Sequence, residues 1–236
     1  MRALLLAMLV LGTSVPSTSA TDAPASFDAR TVYVFTPSRP SERPLQVVFA
    51  LHGMGGEGKG FCQGFLNAAE RNGWVIVAPT FSYRNWKDPR TVADDDVALT
   101  RGLVDLLDAM PQRLGQETSR DAILFGFSRG AQLAHRFAIA FPERTRAVAA
   151  MSAGTYTLPR ALGTGPLEFP FGTADLGRRL GRQLDDRALT NIPFWVAVGS
   201  EDTRAEEVPR QWDRLLGKTR LQRALSFAGE LRAAGA

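Results

Sequence analysis

The chain has 236 residues, of which 44% are hydrophobic, and its formal net charge is +4. This length and composition are typical of one globular domain with a sizeable buried core. A single cysteine, Cys62, excludes an internal disulfide framework. The positive charge comes from scattered arginines without a dense run or interleaved aromatic residues, so the sequence does not indicate a nucleic-acid partner.

The first twenty residues have the layout of a secretory signal peptide. Arg2 supplies a positive start, residues 3–11 form an apolar run too short to span a bilayer, and Thr18-Ser19-Ala20 is a small-residue exit. We therefore expect cleavage after Ala20 and a secreted or periplasmic product. We expect residues 21–236 to form the folded domain. No later segment approaches the length of a membrane span, so we expect the exported product to be soluble.

Six apolar runs bounded by turn residues predict the strands of this domain. Most are continuous and rich in Val, Ile, Phe or Ala, which is typical of strands covered on both faces. They lie at Thr31–Phe35, Leu45–Leu51, Trp74–Ala78, Ala122–Phe127, Arg146–Ser152 and Ile192–Val198. Helical patterns lie between them, and this alternation predicts a three-layer α/β sandwich with a mostly parallel sheet.

Three helical patterns have recognisable ends. One covers Val92–Met110, which we expect to end at Pro111, and a second covers Ala131–Phe141. The last begins with the capping-box pattern Thr219-x-x-Gln222 and is expected to end at Gly235. Its predicted apolar face consists of Leu221, Ala224, Leu225, Ala228 and Leu231.

The segment Thr155–Asn191 is too long for a simple connection and is interpreted as a cap-like insertion over one edge of the sheet. It carries six glycines or prolines before a charged helical stretch, namely Pro159, Gly163, Gly165, Pro166, Pro170 and Gly172. Two roles stay open for its aromatic residues Tyr156, Phe169 and Phe171. They line a pocket for an apolar acyl or aromatic group, or they pack the cap onto the domain.

The sequence Gly126-Phe127-Ser128-Arg129-Gly130 places a serine between two glycines at a predicted strand-to-helix turn. A side chain on Gly126 or Gly130 would strike the neighbouring strand or helix at so sharp a bend. A serine held there in a strained conformation exposes its hydroxyl near a helix N-terminus. The pattern therefore predicts that Ser128 is a nucleophile, and the alternative is a plain turn.

A glycine-rich loop, His52-Gly53-Met54-Gly55-Gly56, follows a predicted buried strand. Glycines there let backbone N–H groups turn inward, as an oxyanion hole requires; a tight turn without a ligand is the alternative. Residues 53–59 also match most of a phosphate-binding loop. However, Gly60 stands where a Ser or Thr would hold magnesium, so the sequence favours the oxyanion interpretation.

Two sets of acidic residues stand out. Asp202 follows the strand at Ile192–Val198, where a carboxylate can orient a catalytic base, although an exposed loop acid is the alternative. Glu201 and Asp175 are weaker substitutes. We interpret residues 94–96, three consecutive aspartates, as acids at the positive end of a helix rather than as metal ligands. No cofactor or metal is expected.

In chain order the glycine-rich loop, the serine turn and Asp202 resemble the α/β-hydrolase superfamily. The resemblance runs from about Thr31 to the C-terminus and is greatest to secreted esterases and to members similar to polyhydroxyalkanoate depolymerases or dienelactone hydrolases. It implies that Ser128 is the nucleophile, that the backbone N–H groups of Met54 and Arg129 form the oxyanion hole, and that Asp202 is the triad acid. It also implies a small-molecule or polymeric ester as substrate.

The chain departs from this family in one respect. The family order is Ser, acid and then His, and the His follows one further strand after the last helix. We therefore expect a C-terminal truncation that removes the last strand and the catalytic His and exposes the edge of the strand at Ile192–Val198. Of the only two histidines, His52 belongs to the oxyanion loop and His135 lies about 10 Å along the helix from Ser128, so neither is expected to be the base.

Two functions stay open at this point. One is a secreted serine hydrolase of an ester or related acyl bond, impaired in this chain by the lack of a base. The other is a non-catalytic small-molecule binder that keeps the pocket beneath the cap.

Overall fold

The computed structural model describes residues 31–38, 43–159 and 166–235. The predicted signal peptide and two glycines of the predicted cap, Gly163 and Gly165, lie outside the described residues. The described strands are β1 Val32–Phe35, β2 Leu45–Leu51, β3 Trp74–Pro79, β4 Thr118–Phe127, β5 Thr145–Met151 and β6 Phe194–Ala197. The described helices are α1 Gly58–Cys62, α2 Leu66–Asn72, α3 Pro89–Leu114, α4 Arg129–Ala140, α5 Leu176–Leu180, α6 Asp186–Leu189, α7 Asp213–Leu216 and α8 Arg220–Ala234.

The six strands form one sheet in the order β1-β3-β2-β4-β5-β6. Only β1 is antiparallel to its neighbour, and the other pairs are parallel. Alternate residues of β2 belong to two apolar clusters. Val47 and Phe49 are in the cluster that also contains residues of α3, α4 and α8, whereas Val48 and Ala50 are in the cluster that contains residues of α1 and α2. The sheet is thus covered on both faces, which confirms the predicted three-layer α/β sandwich.

Helix α3 is longer than its sequence pattern predicts. It begins after Asp88, whose carboxylate accepts hydrogen bonds from the first turn, and it ends at Gly115 with a φ of 64°. The expectation that Pro111 ends this helix is wrong. Proline in a helix removes one backbone hydrogen bond and strains the preceding turn. Met110 just before the proline and Leu114 one turn after it both pack in the apolar core, and these contacts offset that cost.

Helix α8 begins and ends as predicted, with the Thr219 hydroxyl accepting from the first turn and Gly235 in the left-handed region. Its apolar face is only partly as predicted, since Leu225 is 66% exposed. The reason is Phe227, which is fully buried and stacks on Tyr156 with ring centroids 4.4 Å apart. That contact turns the side of the helix that carries Ala224, Phe227 and Leu231 inward.

Strand β6 lies at the edge of the sheet formed by the described residues. Its Trp195 is 54% exposed, as expected for an apolar edge strand without a further neighbour. A groove of about 460 Å³ lies along this edge, where β6 faces α8 near Leu231. No helix of the described part is long and apolar enough to cross a membrane.

Candidate active site

Ser128 lies at the bend between β4 and α4, in a backbone conformation that residues other than glycine rarely adopt. Its φ is 53° and its ψ is −112°. A Cβ on Gly126 would come within 2.3 Å of the carbonyl oxygen of Gly130, and one on Gly130 within 2.0 Å of that of Leu51. Both neighbours are backbone atoms, so neither glycine can carry a side chain without moving the helix or the sheet.

The glycine-rich loop lies directly against this turn. A Cβ on Gly53 would lie 3.3 Å from the Cβ of Ser128, so the loop approaches the serine closely. Met54 is 43% exposed and, with Arg129, borders the same cavity as Ser128. Arg129 is the first residue of α4, where a backbone N–H has no acceptor within its own helix. The structure therefore brings the two residues of the predicted oxyanion hole to the cavity that Ser128 borders.

His52 supports the loop rather than facing the serine. Its side chain is buried, its Nδ1 lies 2.6 Å from the carbonyl oxygen of Gly53, and its Nε2 accepts from the N–H of Phe81 at 2.9 Å. Since Nε2 accepts, Nδ1 carries the single proton and donates. Burial lowers the pKa of this imidazole, against the opposing effect of the Gly53 hydrogen bond. Both ring nitrogens are engaged, so His52 is not free to act as a base.

His135 is equally engaged on the inner side of α4. Its Nδ1 lies 3.0 Å from the carbonyl oxygen of Ala131, and its Nε2 accepts from the N–H of Thr157 at 3.0 Å. The ring packs against both Tyr156 and Phe227, with ring centroids 5.2 and 5.3 Å away. Burial, together with the nearby Arg136 charge, lowers its pKa well below the ordinary histidine value. Neither histidine of the sequence is therefore placed as a base for Ser128.

Asp202 lies in the turn that follows β6 and pairs with an arginine. Its carboxylate accepts from Nη1 of Arg220 at 3.0 Å, and the same nitrogen donates to Glu207 at 2.7 Å. Arg220 and Glu207 line the cavity beside Ser128, whereas Asp202 lies behind them. Of the two weaker candidates, Glu201 is exposed, and Asp175 accepts from Arg179 within the cap. Neither of those borders the cavity.

The cavity beside Ser128 has a volume of about 360 Å³. It is lined by Met54, Trp86, Ser128, Arg129, Gln132, Gly154, Glu206, Glu207 and Arg220. None of the three aromatic residues of the predicted cap borders it. Tyr156 stacks on α8, Phe171 packs on Trp212 with centroids 4.4 Å apart, and Phe169 is buried. The structure thus shows packing for all three, and Phe169 and Phe171 also border a second cavity that shares no lining residue with the first.

A buried ion-pair cluster that no local sequence pattern indicates lies behind the serine turn. Asp96 accepts from Nη2 of Arg129 and from Nη1 of Arg136, each at 2.6 Å. Arg136 also donates to the hydroxyl groups of Thr155 and Thr157, which ties α4 to the segment after β5. Arg129 lies over the ring of Tyr83 at 4.8 Å. We call Arg129, Asp96 and Arg136 the inner cluster.

The interpretation of the three consecutive aspartates is wrong. Because α3 begins after Asp88, these residues lie in its second turn and not at its positive end. They point in different directions, and each pairs with a different partner: Asp94 with Arg179, Asp95 with Arg84, and Asp96 with the two arginines of α4. The signal available in the sequence was the neighbouring N-cap pattern Asp88-Pro89, which marks the helix start one turn earlier.

Comparison with known proteins agrees with this geometry. Residues 47–234 match the profile of a family described as the alpha/beta hydrolase family. Because the match covers most of the chain, the protein belongs to the alpha/beta hydrolase family, and this membership supports a hydrolase function. No protein in the curated set matches the sequence.

Several solved structures share the fold. One is poly(aspartic acid) hydrolase-1 from Sphingomonas sp. KT-1, with 20% identity, a TM-score of 0.66 and coverage of 86% of this chain and 79% of the other. A second is LpqC, a poly(3-hydroxybutyrate) depolymerase from Bordetella parapertussis, with 24% identity, a TM-score of 0.63 and coverage of 86% and 71%. A ferulic acid esterase has 19% identity, a TM-score of 0.53 and coverage of 89% and 84%. At these identities the similarity concerns the fold.

Proposed function

We propose that the protein is a secreted serine hydrolase that cleaves an ester or related acyl bond through Ser128. The observation that carries this proposal is the strained backbone of Ser128, held between two glycines that admit no side chain and bordering a cavity. The layout of residues 1–20 supports export. The names of the structures with a similar fold, two polymer hydrolases and an esterase, support acyl-bond hydrolysis.

In the proposed reaction the Ser128 hydroxyl attacks the substrate carbonyl. The backbone N–H groups of Met54 and Arg129 stabilise the oxyanion of the tetrahedral adduct. The adduct collapses to an acyl-enzyme as the scissile bond breaks, and the leaving alcohol takes the proton that Ser128 gave up to the base. Water then attacks the acyl-enzyme, which releases the acid and restores the Ser128 hydroxyl. Asp202 would orient a base on the opposite side of the cavity. Both histidines of this sequence are held neutral by two hydrogen bonds each. We therefore propose that turnover is impaired, because loss of the base can cost on the order of a millionfold in rate.

An added base tests both parts of the proposal. We would follow hydrolysis of 4-nitrophenyl acetate by the full chain, by Ser128→Ala and by Ser152→Ala, with and without imidazole. Imidazole alone hydrolyses this ester, so the rate of a protein-free sample with the same imidazole concentration is subtracted from each rate. Ser152 is a matched control because it is the other described non-glycine residue with a positive φ, at 52°. Without imidazole we expect the three proteins to show equal rates. With imidazole, which the cavity can accommodate, we expect a gain for the natural chain and Ser152→Ala that Ser128→Ala lacks.

The other outcomes are equally informative. A fast rate without imidazole that depends on Ser128 would show that another group supplies the base and would contradict the proposed impairment. Equal rates with and without imidazole in folded proteins would contradict the nucleophile assignment. In that case we would favour the second candidate function, a non-catalytic binder. The observation behind it is that both histidines are engaged in hydrogen bonds. Saturable binding of a small ester without turnover would support that second function.

A further inference from the structure

The inner wall of the cavity carries a buried positive charge without a matching negative one. In the inner cluster two arginines share a single carboxylate, and all three side chains are at most 3% exposed. Burial lowers the pKa of Arg136 to about 10. Burial also opposes the charge of Arg129, but the Asp96 carboxylate outweighs it and raises the pKa of Arg129. Both arginines are therefore charged at neutral pH. The nearby Asp95 is paired with Arg84, so the inner cluster keeps one positive charge more than it has negative ones.

One hydrogen-bond donor on this wall also lacks a partner. Nη1 of Arg129 is buried and has no hydrogen-bond partner among the described residues. Arg129 itself lines the cavity, whereas Arg136 lies behind it. A buried donor without an acceptor is unfavourable and uncommon in a folded protein. An anion bound in the cavity against Arg129 would give this buried guanidinium a second negative partner beside Asp96.

Gln132, one turn along α4, contributes a second donor. Gln132 is only 5% exposed, and it lines the cavity. Its Oε1 accepts from Nη1 of Arg136 at 3.4 Å, and an arginine can only donate, so this contact fixes the orientation of the amide. Its Nε2 is then on the side of Gly154, 3.2 Å from where a Cβ on that glycine would lie. Gly154 and Gln132 both line the cavity, so the NH₂ group lies next to the wall beside Ser128.

On the opposite wall carboxylates outnumber the cation that lines it. Arg220 borders the cavity there but is paired with both Asp202 and Glu207, and Glu206 beside them is exposed. A ligand carboxylate is therefore attracted to the inner wall and repelled from the outer one. This asymmetry fixes which end of an asymmetric ligand points inward.

We propose that Arg129, Gln132 and Gly154 form a carboxylate-binding subsite, so that the acyl group that this protein selects carries a carboxylate. Monoesters of short dicarboxylic acids are the simplest compounds of this class. The assignment of the carboxylate to an acyl group depends on the proposed function, but binding of the carboxylate does not. Binding requires neither attack by Ser128 nor a base.

An equilibrium binding measurement tests this subsite independently of turnover. We would titrate the full chain with monomethyl glutarate, an anion, and with dimethyl glutarate, in which the same carboxylate is masked as an ester. A charge-assisted hydrogen bond corresponds to a difference of about tenfold to a hundredfold in affinity. We expect the monoester to bind more tightly by that factor.

Two variants and a control assign the effect to the inner wall. Gln132→Glu keeps the shape of the side chain, balances the extra positive charge and replaces the donor with an acceptor, so it should remove the preference for the anion. Arg129→Met should also remove it and leaves Asp96 paired one to one with Arg136. Gln183→Glu makes the same change of net charge at an exposed position and should keep the preference. Circular dichroism and thermal melting would establish that each variant is folded.

The outcomes separate this inference from the proposed function. Equal affinity for both probes, or an unchanged preference in folded Gln132→Glu, would overturn the subsite even if Ser128-dependent hydrolysis were observed. Conversely, a preference for the anion that Gln132→Glu abolishes would support the subsite even if no hydrolysis occurred. Ser128→Ala should retain the preference in either case.

Discussion

Two ion-pair clusters border the cavity, and they have opposite compositions. In the inner cluster one carboxylate, Asp96, is shared by two arginines, and all of these side chains are almost completely buried. In the second, which we call the outer cluster, one arginine, Arg220, is shared by Asp202 and Glu207, and their side chains are 16–32% exposed. The inner cluster lies behind the proposed nucleophile, and the outer cluster holds the proposed triad acid.

The difference in burial determines what each cluster can do. Water and salt screen a partly exposed ion pair, so it contributes little to stability and can rearrange. Buried charges depend on one another, because a charge that loses its partner has no water to replace it. We therefore expect the nucleophile side of the cavity to be rigid and the acid side to be adjustable.

The largest effect is expected from Asp96→Asn, which removes the only carboxylate of the inner cluster. Two buried arginines would then face each other without a negative partner, and we expect a loss of about 3–5 kcal/mol in the free energy of unfolding. Asp121→Asn is a matched control, because Asp121 pairs with Arg146 and these side chains are 29% and 55% exposed. Its expected loss is about 0–1 kcal/mol. Denaturant unfolding measures both, and similar losses would contradict the difference in burial.

The inner cluster also marks the limit of prediction from sequence. The strands were predictable because a sheet covered on both faces needs continuous apolar runs, and the serine turn because its glycines have a local steric reason. Asp96 lies 33 and 40 residues from its partners Arg129 and Arg136, so no local pattern connects them. Likewise, Leu225 has the spacing of a core residue, but the stacking of Phe227 on Tyr156 decided which side of α8 is buried.

An intermediate effect is expected from pH, through the two buried histidines. Burial lowers the pKa of His52 and lowers that of His135 well below the usual value. The unfolded chain therefore takes up protons at a higher pH than the folded chain does. Stability is fully present above about pH 6.5 and is lost as the pH falls below it, by up to about 1.4 kcal/mol per pH unit for each histidine.

Unfolding curves measured between pH 7.5 and pH 5.5 test this expectation. The natural chain should lose stability over this range, and His135→Gln should lose less because one of the two titrating groups is gone. A control on the outer side, Asp202→Asn, should keep the full dependence, since it leaves both imidazoles unchanged. A natural chain that is equally stable at both pH values would mean that the imidazoles can be protonated in place.

The smallest effect is expected from Asp202→Asn itself. Arg220 keeps its contact with Glu207 in this variant, and the lost pair is partly exposed, so we expect a loss of only about 0–1 kcal/mol in unfolding free energy at low salt. The Debye length falls to about 3 Å in 1 M salt, so the loss should vanish there, whereas the loss caused by Asp96→Asn should persist. Denaturation by urea, which is uncharged, allows both salt concentrations to be compared.

A large loss at Asp202 that salt does not reduce would mean that the outer cluster is as firmly held as the inner one. The acid side of the cavity could then not adjust to accept a base, and the expected rescue by imidazole would lose its physical basis.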